Sequence, residues 1–299
     1  MPTLSIIIPV YNAAQYIERC LLSVERQSLR NMEVVIVDDH GHDESISIAK
    51  ALAAQSERKD IKYIFTATEQ NGGPGAARNV GLKTAHGEYI AFLDADDIAE
   101  PQMYQMLYDN AKANDADLSY CNAICDDGIV ENVSERLVVE NVSERSVKPR
   151  SRQEQTKRAD SKVLRNPQVA NVEISRQERS YLLRHYVAYL WTYIYSREML
   201  EKYDIMFPDA RSSEDSAFIG CCLLLACKVV GIDDALYHYM VYSDSLSHTR
   251  KWRGREKRKA FSCLFRKARE TGQLRAFFPE LIFIYIKKTI LSPILEYIK

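Results

Sequence analysis

The chain opens with a near-continuous apolar run, Leu4–Val10, rich in β-branched residues. Four more such runs follow, Glu33–Val37, Ile61–Phe65, Tyr89–Leu93 and the weaker Asp117–Tyr120. Between them apolar positions recur at helical spacing over about 14–27, 44–55, 75–85 and 101–113. The last begins at Glu100-Pro101, a favourable start because the first helical turn does not need proline's missing N–H. Strands that read as unbroken apolar runs are buried on both faces, and their alternation with helices predicts a mostly parallel α/β sheet. In such sheets ligands bind beyond the carboxyl ends of the strands.

The pattern then changes. Residues 121–180 form a polar excursion, expected to act as a lid, in which ENVSER occurs at Glu131–Arg136 and again at Glu140–Arg145. Order is expected to return at Tyr181, where Tyr186, Tyr189, Trp191, Tyr193 and Tyr195 alternate in part as a strand would. A helix is expected near Arg197–Tyr203 and another over Ala217–Cys227, the second capped by Ser212 or Ser213. Beyond it, Arg250, Lys251, Arg253, Arg255, Lys257, Arg258 and Lys259 form a basic block beside Trp252, followed by apolar helical patterns to the end. That segment either packs on the core or lies on an anionic membrane surface. The expected organisation is one unit over 1–249, with parts 1–120, 121–180 and 181–249, and a helical extension over 250–299.

Composition narrows the class. The 299 residues are 46% hydrophobic and 27% charged, with a net charge of −1. This is an ordinary globular balance without the basic bias of a nucleic-acid binder. Seven cysteines without a CxxC pair point to reduced thiols rather than a disulfide framework or a zinc site. The N-terminus enters a strand at once, and no apolar run reaches the ~18 residues of a spanning helix. A cytoplasmic chain is therefore expected, in which the sequons at Asn132 and Asn141 carry no sugar.

Candidate chemistry sits at three strand ends: Tyr11-Asn12, Asp38-Asp39 and Asp94–Asp97. Solvated acidic turns could account for any one of them. Five carboxylates along one sheet edge are explained more economically by a divalent cation and its phosphate ligands. Asn71–Asn79 (NGGPGAARN) allows close backbone approach and places Arg78 in the first turns of a helix. It is neither a dinucleotide-binding GxGxxG nor a P-loop, and a surface arginine after a glycine-rich turn would look the same. Glu214-Asp215 reads equally as helix capping.

Taken together, Ser5–Asn12 (SIIIPVYN), Glu33–Asp39 (EVVIVDD), Asn71–Gly81 (NGGPGAARNVG), Gly87–Asp97 (GEYIAFLDADD) and Glu214-Asp215 resemble the family 2 inverting glycosyltransferases, which use nucleotide sugars. The resemblance covers residues 3–120 closely and 186–250 more loosely. It implies a GT-A fold, a Rossmann-like nucleotide-binding sheet flanked by helices. It further implies that Tyr11 stacks on the base, Asp39 accepts a hydrogen bond from it, Pro9 shapes that wall and Arg78 lies near the diphosphate. Asp94-Ala95-Asp96 would be the DxD, with Asp94, Asp96 and Asp97 holding Mn²⁺ or Mg²⁺, and Asp215 would be the catalytic base. One departure stands out. The second-strand motif usually continues Gly-Ser-Thr-Asp, whereas this chain reads His40-Gly41-His42-Asp43, so the turn is expected to be rearranged.

The expected donor is a UDP-sugar and the expected acceptor a carbohydrate or lipid-linked sugar, in cell-surface polysaccharide or glycolipid synthesis. Membrane contact would run through 250–299 at the inner face of the plasma membrane, and a homodimer is left open. A nucleotidyltransferase would place a glycine-rich basic loop after the first strand, where Tyr11-Asn12-Ala13-Ala14 has none. A non-catalytic sugar-nucleotide-binding subunit would be expected to lack Asp215 or the DxD, and both are present.

Overall fold

The computed structural model describes residues 1–126, 162–169, 171–241 and 254–291. The strands are β1 (Leu4–Val10), β2 (Met32–Asp38), β3 (Ile61–Ala67), β4 (Tyr89–Phe92), β5 (Ile98–Ala99), β6 (Leu118–Asp126), β7 (Lys162–Leu164), β8 (Tyr193–Ser196) and β9 (Val229–Met240). The helices are α1 (Ile17–Glu25), α2 (Ser45–Gln55), α3 (Pro74–Thr84), α4 (Met103–Asn114), α5 (Arg176–His185), α6 (Arg197–Lys202), α7 (Glu214–Leu225), α8 (Gly254–Glu270) and α9 (Leu274–Ile286).

One mixed sheet runs in the order β3-β2-β1-β4-β8-β6-β9-β5, with β7 paired to β6. Its first half, β3-β2-β1-β4, is wholly parallel, as the unbroken apolar runs predict. The second half departs from a simple doubly wound sheet, because β8 enters antiparallel between β4 and β6. The pleat divides the core. Ile6, Ile8, Val34 and Ile36 pack with α1 and α4 on one face. Ile7, Val35, Val37 and Phe92 join Phe218 of α7, Leu264 of α8 and Leu281 of α9 on the other.

Three expectations change in detail. The Tyr186–Tyr195 stretch is strand only from Tyr193, after a 3₁₀ turn over Leu190–Thr192. Within the expected excursion, β7 pairs with β6, and α5 begins before Tyr181 because Ser175 and Glu178 form a reciprocal capping box. The ENVSER repeats lie outside the described residues. Ser213 stands at the N-cap of α7 with φ 62° and makes no side-chain cap bond. The apolar face of α8, with Ala260, Phe261 and Leu264 at 0% exposure, is covered by protein. No described helix is long and apolar enough to cross a membrane.

Close packing places α3 on the sheet. A Cβ on Gly81 would lie 2.3 Å from Ile7 Cγ2 of β1, so this contact admits only glycine. We expect Gly81→Ala to cost about 1–3 kcal/mol through overpacking, measured as a lower urea midpoint at unchanged slope. An unchanged midpoint would contradict this packing of α3 on β1.

Candidate active site

The ends of β1 and β2 form one wall. Pro9 is half-buried opposite Val37 in the β1–β2 register, and Tyr11 just beyond it is 42% exposed. Asn12 takes φ 49°, and its Oδ1 accepts the His42 N–H at 2.8 Å. Asp43 accepts Ala14 N–H at 2.8 Å, and Ser45 Oγ accepts Ala13 N–H at the same distance. The unusual turn is therefore stitched to the end of β1. His40 occupies the left-handed region at φ 59°, which histidine enters more readily than bulkier residues do, and its Nε2 lies 2.6 Å from Thr68 O.

Asp39 is 3% exposed and organises the glycine-rich loop. Its Oδ1 accepts Thr68 Oγ1–H at 3.0 Å and Gly72 N–H at 2.9 Å, and its Oδ2 accepts Gly73 N–H at 2.8 Å. A carboxylate has about four lone-pair positions, so one remains for an incoming donor.

The end of β4 contributes the acidic cluster, and its members part company. Asp94 and Asp96 are half-buried and Ala95 is buried between them. Arg19 Nη2 donates to Asp96 O at 2.7 Å. Asp97, expected to assist in holding a cation, is 1% exposed and faces β9. Its Oδ2 accepts Tyr237 O–H at 2.7 Å and its Oδ1 accepts Met240 N–H at 2.8 Å. Burial, then Asp96 and Asp94, push its carboxyl well above the usual carboxylate range. Asp97 thus anchors β9 beneath the turn, while Asp94 and Asp96 are left half-buried. Among the described residues no group of three or more His, Cys, Asp or Glu side chains is gathered to hold a metal. Two oxygen ligands do suit a hard cation that completes its shell with substrate phosphate and water.

Arg78, expected near the diphosphate, is 6% exposed, and its guanidinium is engaged by carboxylates. Nη2 lies 2.7 Å from Asp94 Oδ1 and Nη1 lies 3.9 Å from Glu214 Oε1. Burial works against its charge, but Asp94 and Glu214 outweigh it and hold the pKa above the ordinary value. Its Nε is buried without a partner, and the Phe207 ring lies 5.6 Å beneath it.

Glu214 and Asp215 begin α7, where the helix end favours negative charge. Asp215 Oδ1 accepts Ser216 N–H at 2.6 Å. Burial raises its pKa against the opposing pull of that hydrogen bond, Arg78 and Lys288, while Asp94 raises it further. These contacts bring Arg78, Asp94, Glu214 and Asp215 together.

Sequence reasoning assigned no role to Phe207, Tyr237 or Lys288. The Asn79 side chain clamps Phe207, accepting its N–H at 2.8 Å and donating to its carbonyl at 2.9 Å. Tyr237 O–H accepts Asp94 N–H at 3.4 Å while donating to Asp97. Lys288 lies 5.8 Å over the Tyr186 ring, and Tyr186 in turn donates to Ser216 O at 2.8 Å. These contacts span long sequence separations, and only an aromatic beside a proline at Phe207-Pro208 gave a local hint.

The sequence profile described as glycosyl transferase family 2 matches residues 5–166. "Uncharacterized glycosyltransferase EpsJ" of Bacillus subtilis is 33% identical over 254 residues, which are 83% of this chain and 63% of that protein. The chain thus spans somewhat less than two thirds of this curated relative. Among solved structures, S. aureus TarS 1–349 in complex with UDP-GlcNAc superposes with a TM-score of 0.69 at 22% identity, over 96% of this chain and 73% of that one. The mannosyltransferase PcManGT from Pyrobaculum calidifontis, in complex with GDP-Man and Mn²⁺, gives 0.58 at 19% identity, covering 96% and 70%. The fold is therefore the GT-A fold.

The position of Asp97 has a measurable consequence. Asp97→Ala leaves the Tyr237 hydroxyl and the Met240 N–H buried without their acceptor. We expect a loss of about 1–3 kcal/mol by chemical denaturation, with Asp96→Asn far milder. Equal stability of the two variants would contradict the division of labour.

Proposed function

The chain belongs to glycosyl transferase family 2, and from that membership we propose that it transfers a sugar from a nucleoside-diphosphate sugar to a hydroxyl acceptor with inversion. One observation carries the reading. Buried Arg78 bridges Asp94 and Glu214, so the carboxylates beyond β4 and at the start of α7, with Asp215, gather around one guanidinium.

Asp215 takes the proton of the acceptor hydroxyl, whose oxygen forms the new bond to the anomeric carbon. The bond from that carbon to the diphosphate breaks on the opposite side. A single displacement of this kind inverts the centre, and it requires a base away from the leaving group. The raised pKa of Asp215 makes it a stronger proton acceptor than an ordinary carboxylate. Asp94 and Asp96 would hold Mn²⁺ or Mg²⁺, which when bound neutralises charge growing on the departing diphosphate. Arg78 acts as a positioning residue by fixing the carboxylate of Asp94. At the other wall Tyr11 offers an exposed ring for stacking, and Asp39 has a remaining lone pair for a base N–H. This supports a UDP-sugar, and tighter binding of GDP than UDP in calorimetry would overturn that choice.

We assign the acceptor side to a carbohydrate or lipid-linked sugar at the inner membrane face, in cell-surface polymer or glycolipid synthesis. Support comes from α9, where Phe278, Phe283 and Ile286 are 50%, 43% and 39% exposed and Arg275 and Lys287 are exposed beside them. Basic residues flanking exposed apolar ones suit an anionic interface.

Two measurements test these readings. Asp215→Asn should lower kcat roughly 10²–10⁴-fold, the usual worth of a general base, while donor affinity stays near normal. Because the base must be ionised, wild-type kcat should fall as pH drops through a value above the ordinary carboxylate range. Chelation or Asp96→Asn should also abolish transfer. Near-normal turnover of Asp215→Asn, or an enzyme indifferent to EDTA, would defeat the corresponding role. In the second measurement, the protein should co-sediment with anionic liposomes at low salt and be released as salt rises. Failure to bind at low salt would exclude α9 as an anchor.

A further inference from the structure

Asp215 stands on the first turn of α7, and that turn is not held in the ordinary way. The first N–H groups of a helix have no acceptor within it, and a capping side chain usually supplies one. Ser213 occupies the N-cap in the left-handed region, with φ 62°, and its side chain makes no cap bond. Ser216 N–H turns instead to Asp215, whose Oδ1 accepts it at 2.6 Å. This bond fixes the carboxylate only as firmly as Ser216 itself is fixed.

Tyr186 supplies that anchor. It sits at the C-terminal end of α5, where its N–H donates to Leu182 O at 2.8 Å. Its hydroxyl donates to Ser216 O, also at 2.8 Å. A carbonyl oxygen has two lone pairs, so it can take the phenol without leaving the helix ladder. The approach needs a bare backbone one turn further along α7, because a Cβ on Gly220 would lie 3.3 Å from the Tyr186 hydroxyl. Tyr186 is 4% exposed. Burial, then Asp215 and Cys221, raise its pKa well above the ordinary phenol value, which keeps the hydroxyl a donor. Lys288 Nζ, from the π turn Lys287–Leu291 after α9, lies 5.8 Å over the same ring, within the range of a cation–π contact. The turn is thus tethered on both sides of Asp215, by Arg78 at Glu214 and by Tyr186 at Ser216.

We propose that Tyr186 is a positioning residue for the transfer reaction, aiming the Asp215 carboxylate at the acceptor hydroxyl through Ser216. The inference rests on the reading of Asp215 as the base. The phenol works through the backbone of α7 and not on the substrate. Orientation of this kind matters because a misplacement of about 1 Å at a reacting group can cost on the order of 10²-fold in rate.

The test uses the full chain. Turnover is followed as UDP release, with water standing in for the acceptor, from whichever of UDP-glucose, UDP-galactose and UDP-GlcNAc the wild type hydrolyses fastest. Rates are expressed per UDP-binding site counted by calorimetry with Mn²⁺, so that unfolded protein does not imitate a loss. Tyr186→Phe keeps the ring and removes only the donor. It should lower kcat roughly tenfold while UDP affinity stays near that of the wild type. In an Asp215→Asn background the same change should cost nothing further, because no base remains to be aimed. Para-aminophenylalanine at position 186 restores an N–H donor in the same place and should recover most of the rate. A tyrosine that serves only stability would lower the urea midpoint and leave kcat per site unchanged, which overturns the proposal. Losses that multiply in the double variant overturn it too. Near-normal turnover of Asp215→Asn removes the base reading itself, whereas a slow Asp215→Asn beside a full-rate Tyr186→Phe removes this inference alone.

Discussion

A buried guanidinium holds the two halves of the cleft together. Arg78 reaches Asp94 from one side and Glu214 from the other, joining a turn near the chain's first third to a helix more than a hundred residues later. Removing one partner of such a buried ion pair typically costs about 3–5 kcal/mol, because the remaining charge is stranded. The small residues around it follow from this geometry. A Cβ on Gly75 would lie 3.0 Å from Glu214 Cγ, and Ala77 is fully buried. The run NGGPGAARNVG therefore acts as a spacer that brings one long cation into a space too narrow for larger neighbours.

Beneath that cation lies an aromatic floor. Phe207 stacks on Phe218 with centroids 4.1 Å apart and rings 3° from parallel, and Phe92 meets both edge-on. The floor excludes water from below, which strengthens the charge interactions above it. The same residue, Phe207, also lines a cavity of about 520 Å³ between α7 and α8.

The parallel half of the fold was legible because doubly buried strands leave unbroken apolar runs, and β1 begins and ends where its run does. The antiparallel entry of β8 was not legible, since four residues of strand after a 3₁₀ turn leave no periodicity that distinguishes direction. At the candidate site, residue types and order singled out particular strand ends, but the orientation of each side chain depended on distant partners. Asp96 and Asp97 are indistinguishable in FLDADD. Only the arrival of Tyr237 and Met240 from β9, some 140 residues on, turns Asp97 inward. The carboxylate partners of Arg78 were not legible either, because they lie on other elements. The His40 turn was expected to be rearranged, and its backbone takes the left-handed corner that glycine would favour.

The aromatic stack beside the acidic turn has an optical consequence. Trp191 is one of two tryptophans in the chain, and the other, Trp252, lies outside the described residues. Its indole lies 4.1 Å from the Tyr237 ring at 14° and 5.5 Å from Tyr239 at 10°. The Tyr237 hydroxyl in turn holds the backbone of Asp94 and the carboxylate of Asp97. An indole stacked on a phenol that is itself bonded to the acidic turn places an intrinsic fluorophore next to that turn, available as a label-free optical reporter for it.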